Sequence, residues 1–218
     1  MNNFQNILFD LDGTLTDPKE GIINSYLHSF GKLGIKEDNP ESIKEYIGAP
    51  LQVCYKEKYG LNEQEIDMAI TYYREYFAVK GAYENRLYEG IEELLNYLVH
   101  KKSKLYVVTN KATYYSEKII RHFNIHSFFK KIFGSDMEKL SARGKEKHEL
   151  IEDAIRIESL NPGNTIMIGD RKFDIEGAKM HGIKSIAVTY GYGSRDELEK
   201  TQPDYIVSDP AELKELLR

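Results

Sequence analysis

Short apolar runs that end in polar residues recur along this chain and alternate with segments of helical period. Ile7-Leu8-Phe9, Leu105 to Val108, Lys131 to Phe133, Thr165 to Ile168, Ser185 to Val188 and Tyr205 to Val207 read as strands. Runs this short and this uniformly apolar suit strands buried on both faces of a parallel sheet. Helices are expected between them. Glu89 to Lys101 carries Ile91, Leu94, Leu95 and Leu98 on one stripe, and Tyr114 to Phe123, Lys147 to Ser159, Asp174 to Gly182 and Ala211 to Leu217 follow the same period. Repeated strand–helix units call for a parallel sheet with helices on both faces, joined by right-handed crossovers.

One block breaks the alternation. From Glu20 to about Lys80 the period is helical throughout, beginning with Ile22, Ile23, Tyr26, Leu27, Phe30 and Leu33. Gly34 ends that helix, Pro40 opens a second piece, Leu51 to Tyr59 forms a third, and Asn62 caps a fourth with Ile66, Ile70, Tyr73 and Phe77 on one face. The chain therefore reads as α/β. Residues 1–17 and 87–218 are expected to form a Rossmann-like, three-layer α/β/α core, and residues 18–86 an inserted all-helical domain.

The strand exits hold the candidate chemistry. The first strand leaves through Asp10 and Asp12, the second through Thr109-Asn110-Lys111, and the fourth through Gly169-Asp170 with Asp174 beyond. In an open α/β sheet a ligand sits at the carboxyl ends of the strands, where the winding reverses. If these three strands are neighbours, their polar exits converge on one crevice. Residues two apart on an extended chain face the same way, so Asp10 and Asp12 present both carboxylates to one side. Their repulsion calls for a divalent cation or for a proton held by a raised pKa. A hydroxyl and an amide at Thr109 and Asn110 can donate to phosphate oxygens as charge builds on them. The plainer alternative at each exit is a helix cap.

Asp-Leu-Asp-Gly-Thr-Leu-Thr-Asp, residues 10–17, resembles the first motif of the haloacid dehalogenase superfamily, in its phosphatase branch. The resemblance implies that Asp10 is the nucleophile that takes up the phosphoryl group. It implies that Asp12 is the acid that protonates the leaving oxygen and the base that later activates water. Val-Val-Thr-Asn-Lys, residues 107–111, is similar to the second motif, which gives Thr109 a phosphate-binding role and Asn110 a role in orienting phosphate or substrate. Gly-Asp-Arg-Lys-Phe-Asp, residues 169–174, is similar to the last motif. It implies Mg²⁺ held by Asp10, Asp170 and the main-chain carbonyl of Asp12, with Asp174 holding metal-bound water or a neighbouring side chain.

The family also requires a lysine beside the nucleophile, offsetting the repulsion between carboxylate and phosphate. The usual Lys-Pro-x-Pro is replaced here by Gly144-Lys145-Glu146-Lys147-His148. Lys147, followed by His148-Glu149-Leu150-Ile151, fits the version seen in relatives similar to phosphoglycolate phosphatase, and Lys145 is the alternative. The expected function is a Mg²⁺-dependent phosphatase acting on a small phosphorylated metabolite such as phosphoglycolate, a nucleoside 5′-monophosphate or a sugar phosphate. A sugar phosphate mutase and a pyrophosphatase of the same superfamily are the alternatives.

Composition narrows the field further. Of the 218 residues 41% are hydrophobic and 30% charged, as in an ordinary globular protein. A formal charge of −5 and the lack of a basic cluster give no support to nucleic-acid binding. Cys54 is the single cysteine, so no internal disulfide can form, and the six histidines show no metal-binding spacing. With no apolar run of membrane-spanning length and no signal-peptide pattern, a cytoplasmic protein without membrane contact is expected. Gly191-Tyr192-Gly193 lacks the Gly-Lys-Ser/Thr ending of a phosphate loop and reads as a turn into a helix.

Overall fold

The computed structural model describes residues 4–135 and 145–218. Nearly all of the charged loop expected from Asp136 to Lys145 lies outside the described residues. Six strands form one parallel sheet: β1 (Asn6–Phe9), β4 (Lys104–Ala112), β5 (Phe129–Ser135), β6 (Thr165–Gly169), β7 (Lys184–Val188) and β8 (Tyr205–Val207). Their order is β5-β4-β1-β6-β7-β8, so β1 lies between β4 and β6. Phe9 is in register with Val107 on one side and Ile168 on the other. The exits of β1, β4 and β6 therefore open side by side, at the place where the winding reverses.

Alternation along each strand sends side chains to two cores. Ile7, Phe9, Leu105, Val107, Ile166 and Ile168 pack with the helices α4 (Ile91–His100), α5 (Thr113–His122) and α9 (Pro210–Leu216). Leu8, Tyr106, Val108 and Met167 point the other way, against α6 (Lys147–Glu158) and α7 (Lys172–Met180). This is the three-layer Rossmann-like α/β arrangement, with Leu94, Leu95 and Leu98 of α4 fully or nearly fully buried as their spacing requires.

The helical block follows β1 directly. It contains α1 (Lys19–Leu33), a 3₁₀ segment (Pro40–Tyr46), α2 (Leu51–Glu57), α3 (Glu63–Tyr76) and a π turn (Phe77–Gly81). Gly34, at φ +70°, ends α1, and Asn62 caps α3 in a reciprocal box with Glu65. Its interior is aromatic: Tyr26 lies 5.0 Å from both Tyr55 and Tyr73, ring centre to ring centre. Two features escaped the sequence reading. A two-residue antiparallel pair, β2 (Thr16–Asp17) with β3 (Arg86–Leu87), ties the two ends of the block together. Pro40 opens a 3₁₀ segment rather than an α-helix. α8 (Arg195–Lys200) follows the Gly191-Tyr192-Gly193 turn, capped by Ser194. Among the described residues no helix is long and apolar enough to cross a membrane.

Candidate active site

β1 leaves the sheet at Asp10 and turns at once. The amides of Leu15 and Thr16 both donate to the carbonyl of Leu11 at 2.9 Å, and Gly13 N donates to Thr16 O at 2.7 Å. Gly13 adopts φ +88°, and a Cβ there would lie 2.2 Å from Oδ2 of Asp170. Glycine is thus demanded twice, by the backbone and by the close approach of β6's exit. The turn holds Asp10 and Asp12 in place, 3% and 6% exposed, over the carboxyl edge of the sheet.

Lys147, in the first turn of α6, reaches into the same space. Its ammonium lies 2.8 Å from Oδ1 of Asp10 and 2.8 Å from Oδ1 of Asp174, and donates to the Val108 carbonyl at 2.9 Å. Burial alone would lower its pKa, but the two carboxylates outweigh burial and hold it above the ordinary lysine value. Lys145 borders the cavity described below, but its ammonium pairs with Asp153 of α6. The geometry thus brings Lys147, not Lys145, to the two aspartates.

Asp170 is fully buried at the end of β6. Thr14 donates to its Oδ1 at 3.1 Å and the amide of Tyr192 to its Oδ2 at 2.8 Å. The Gly191-Tyr192-Gly193 turn therefore backs this carboxylate directly, a contact that nothing in the linear pattern announces. Asp174 receives the Arg171 amide on Oδ2 at 3.1 Å. Burial drives the pKa of Asp170 well up, with Asp10 and Asp174 adding to it. Burial likewise pushes Asp174 up to about 6, with Lys147 opposing.

Oxygen atoms of Asp10, Asp170 and Asp174 all lie within 4.8 Å of one another and all three residues are buried. Hard oxygen donors crowded at this distance, two of them with raised pKa values, fit a small divalent cation. Asp174 stands as near to this cluster as Asp10 and Asp170 do, so geometry alone gives it no lesser place. Asp12 sits beside the cluster. Burial raises its pKa, and the Lys111 ammonium at 2.8 Å pulls the other way. Lys111 also lies 4.4 Å from the ring centre of Phe77, linking the exit of β4 to the helical block. The linear pattern assigns Lys111 no role, because its partners are 99 and 34 positions away.

Thr109 is buried and its hydroxyl accepts from the Lys111 amide at 3.2 Å. Asn110 donates from Nδ2 to the Gly48 carbonyl at 3.0 Å, while its Oδ1 is buried without a hydrogen bond among the described residues. Both border a cavity of about 160 Å³ with Asp10 and Asp12 on its floor. Tyr26, Tyr46, Tyr73 and Phe77 of the helical block form its far walls. The arrangement can place a compact anion beside two carboxyl groups and an ammonium, and surround its organic part with aromatic rings.

Known proteins share this sequence and this fold. The haloacid dehalogenase-like hydrolase family model matches residues 7–188. A 5′-nucleotidase from Pseudomonas aeruginosa is 42% identical over 98% of this chain and 96% of its own. The tyrosine-protein kinase PtkA of Mycobacterium tuberculosis is 34% identical over 97% of this chain and 71% of its own. A solved haloacid dehalogenase-like family hydrolase from Streptococcus pneumoniae, 34% identical, superposes with a TM-score of 0.90 over the whole of both chains. The chain, whose first and last motifs meet at adjacent strand ends, belongs to the haloacid dehalogenase-like hydrolases.

Proposed function

We propose that this enzyme is a Mg²⁺-dependent phosphatase that hydrolyses small phosphate monoesters through a phosphorylated Asp10. The observation that carries the reading is the convergence of Asp10, Asp12, Asp170, Asp174 and Lys147 at the exits of β1 and β6 and the start of α6. Asp10, the main-chain carbonyl of Asp12 and Asp170 would hold Mg²⁺, with Asp174 beside them or joining them. The ion would supply positive charge against the phosphate oxygens and the crowded carboxylates.

The chain's own groups then do the following. Asp10 attacks phosphorus, the bond from phosphorus to the leaving oxygen breaks, and Asp12 gives its proton to that oxygen. Burial raises the pKa of Asp12, which favours its acid form relative to an exposed aspartate. Asp12, now a carboxylate, takes a proton from water, whose oxygen attacks phosphorus and frees Asp10 and inorganic phosphate. Lys147 and Thr109 hold phosphate oxygens, and Asn110 orients the substrate. Residues 18–86 act as a cap that closes over the cavity, excludes bulk water and selects the leaving group.

The relative named 5′-nucleotidase, with the aromatic walls of the cavity, favours a nucleoside 5′-monophosphate among the possible substrates. The relative named a tyrosine-protein kinase supports a second reading, in which a hydroxyl replaces water as the acceptor. Release of inorganic phosphate from a panel of phosphomonoesters, with Mg²⁺ and with EDTA, separates the two. Mg²⁺-dependent release supports the phosphatase. Transfer to an added hydroxyl compound without phosphate release supports the second reading, and neither product removes both.

A further inference from the structure

Arg171 stands between two aspartates of the site but does not border the cavity. It is 7% exposed, and its guanidinium is turned to the helical block. Nη1 donates to the carbonyl of Glu45 at 3.1 Å and to that of Ile47. On its other edge Nε and Nη2 meet the two oxygens of Glu197 at 2.9 and 3.4 Å. Glu197 Oε1 also accepts the amide of Lys172 at 2.9 Å, so the carboxylate is fixed to the start of α7 as well. A fork paired on one side and donating to two carbonyls on the other is a rigid joint, which a point charge would not reproduce.

What the joint holds is the segment facing the substrate. Tyr46, Ile47, Gly48, Ala49, Pro50 and Leu51 all border the cavity. Gly48 adopts φ +88° and passes so near Arg171 that a Cβ would lie 3.0 Å from its Cγ. The same residue's carbonyl receives Asn110 from the exit of β4. The segment is thus pinned from two strand ends, by side chains next to Asp170 and Thr109.

We infer that Arg171, braced by Glu197, is a positioning residue for substrate selection: by holding the Glu45 and Ile47 carbonyls it fixes residues 46–48 as the wall against which the leaving group is read. The inference builds on the proposed hydrolysis of phosphate monoesters. A substrate whose leaving group reaches that wall depends on the joint, while methyl phosphate, which ends short of it, does not. Loosening the segment raises KM for the longer substrate without a matching fall in kcat.

The test compares R171Q, R171K and E197Q with the unaltered protein. For R171Q the ratio of KM for adenosine 5′-monophosphate to KM for methyl phosphate rises about tenfold, the effect of losing hydrogen bonds to a charged group. E197Q moves the ratio the same way, R171K recovers part of it, and the double variant R171Q/E197Q shows less than the product of the two effects. Hydrogen exchange provides a reading that needs no turnover. The amides of Ile47 and Ala49, bonded to Lys44 and Tyr46, exchange about tenfold faster in R171Q, while those of α3 keep their rate. If R171Q does not fold, R171K and E197Q carry the same measurements. Unchanged exchange at residues 47–49 overturns the inference, and so does an equal loss of kcat for both substrates. If no phosphate monoester is hydrolysed at all, the proposed function fails, and the exchange rates alone decide whether the joint exists.

Discussion

Replacing Lys147 with methionine preserves the side chain's length and removes the ammonium that separates Asp10 from Asp174. The two ion pairs are both 2.8 Å long and buried. Removing one partner of a buried pair costs about 3–5 kcal/mol, because a charge is left without compensation. Protonation of the stranded carboxyl limits this cost and makes it depend on pH. A carboxyl with an ordinary pKa near 3.9 takes up a proton at a cost of about 4 kcal/mol at pH ~7 and about 2 kcal/mol at pH ~5.5. Asp174 already titrates at about 6 with Lys147 present, so without the lysine it carries that proton at neutral pH. A carboxyl whose folded pKa lies above its unfolded one makes the folded state bind the extra proton. The variant therefore regains stability as pH falls toward the unfolded pKa. Lys147→Met should lose about 4 kcal/mol near pH 7 and about 1 kcal/mol less than that near pH 5.5, relative to the unaltered protein with EDTA present, because Asp174 of the unaltered protein also takes up its proton over this range. Urea unfolding followed by circular dichroism measures this, tryptophan being absent from the chain. A cost under about 1 kcal/mol at neutral pH, or one that grows on acidification, would refute the electrostatic account of the site.

Gly13→Ala should lower Mg²⁺ affinity and kcat/KM more than tenfold, since its Cβ would lie 2.2 Å from Asp170 Oδ2, whereas Gly34→Ala, at φ +70° with open space around it, should cost about 1–2 kcal/mol of stability and leave turnover intact; a Mg²⁺ titration and thermal melts compare the two. Burial pushes the Cys54 thiol up to about 12, so only about one molecule in ten thousand carries the thiolate at pH ~8. Iodoacetamide should label it on the order of a hundredfold faster in urea than in the folded protein, read by mass spectrometry.

The apolar runs were enough to place β1, β4 and β6 and to put Asp10, Asp12, Thr109, Asp170 and Asp174 at or just beyond their ends, while a helix cap remained the plainer alternative at each and the roles rested on the resemblance of the motifs. Their convergence needed only the sheet order, and β4-β1-β6 supplies it. Deciding between Lys147 and Lys145 needed the start of α6, since Lys147 is its first residue and reaches the sheet edge, while Lys145 lies ahead of the Glu146 cap and pairs with Asp153. Contacts between distant positions left no trace in the linear pattern. Lys111 on Asp12, Glu197 on Arg171 and the Tyr192 amide on Asp170 join residues 99, 26 and 22 apart with no periodicity between them. The β2–β3 pair is two residues long on each side, too short for any alternation to show. Asn110 borders the cavity and also donates to Gly48, a partner that only the folding back of the helical block brings near.

The measurement closest to the central claim is acid quenching of the enzyme during turnover of a phosphate monoester with Mg²⁺, followed by borohydride reduction and peptide mass spectrometry. An acyl phosphate on Asp10 is reduced to homoserine, so the peptide spanning the end of β1 should carry homoserine at position 10 only when substrate and Mg²⁺ are both present. With p-nitrophenyl phosphate, whose leaving group needs no acid, the Asp12→Asn variant lacks only its base for the second step and should accumulate more of it. Phosphate release with aspartate unmodified at position 10 throughout, or homoserine at another residue, would contradict the account.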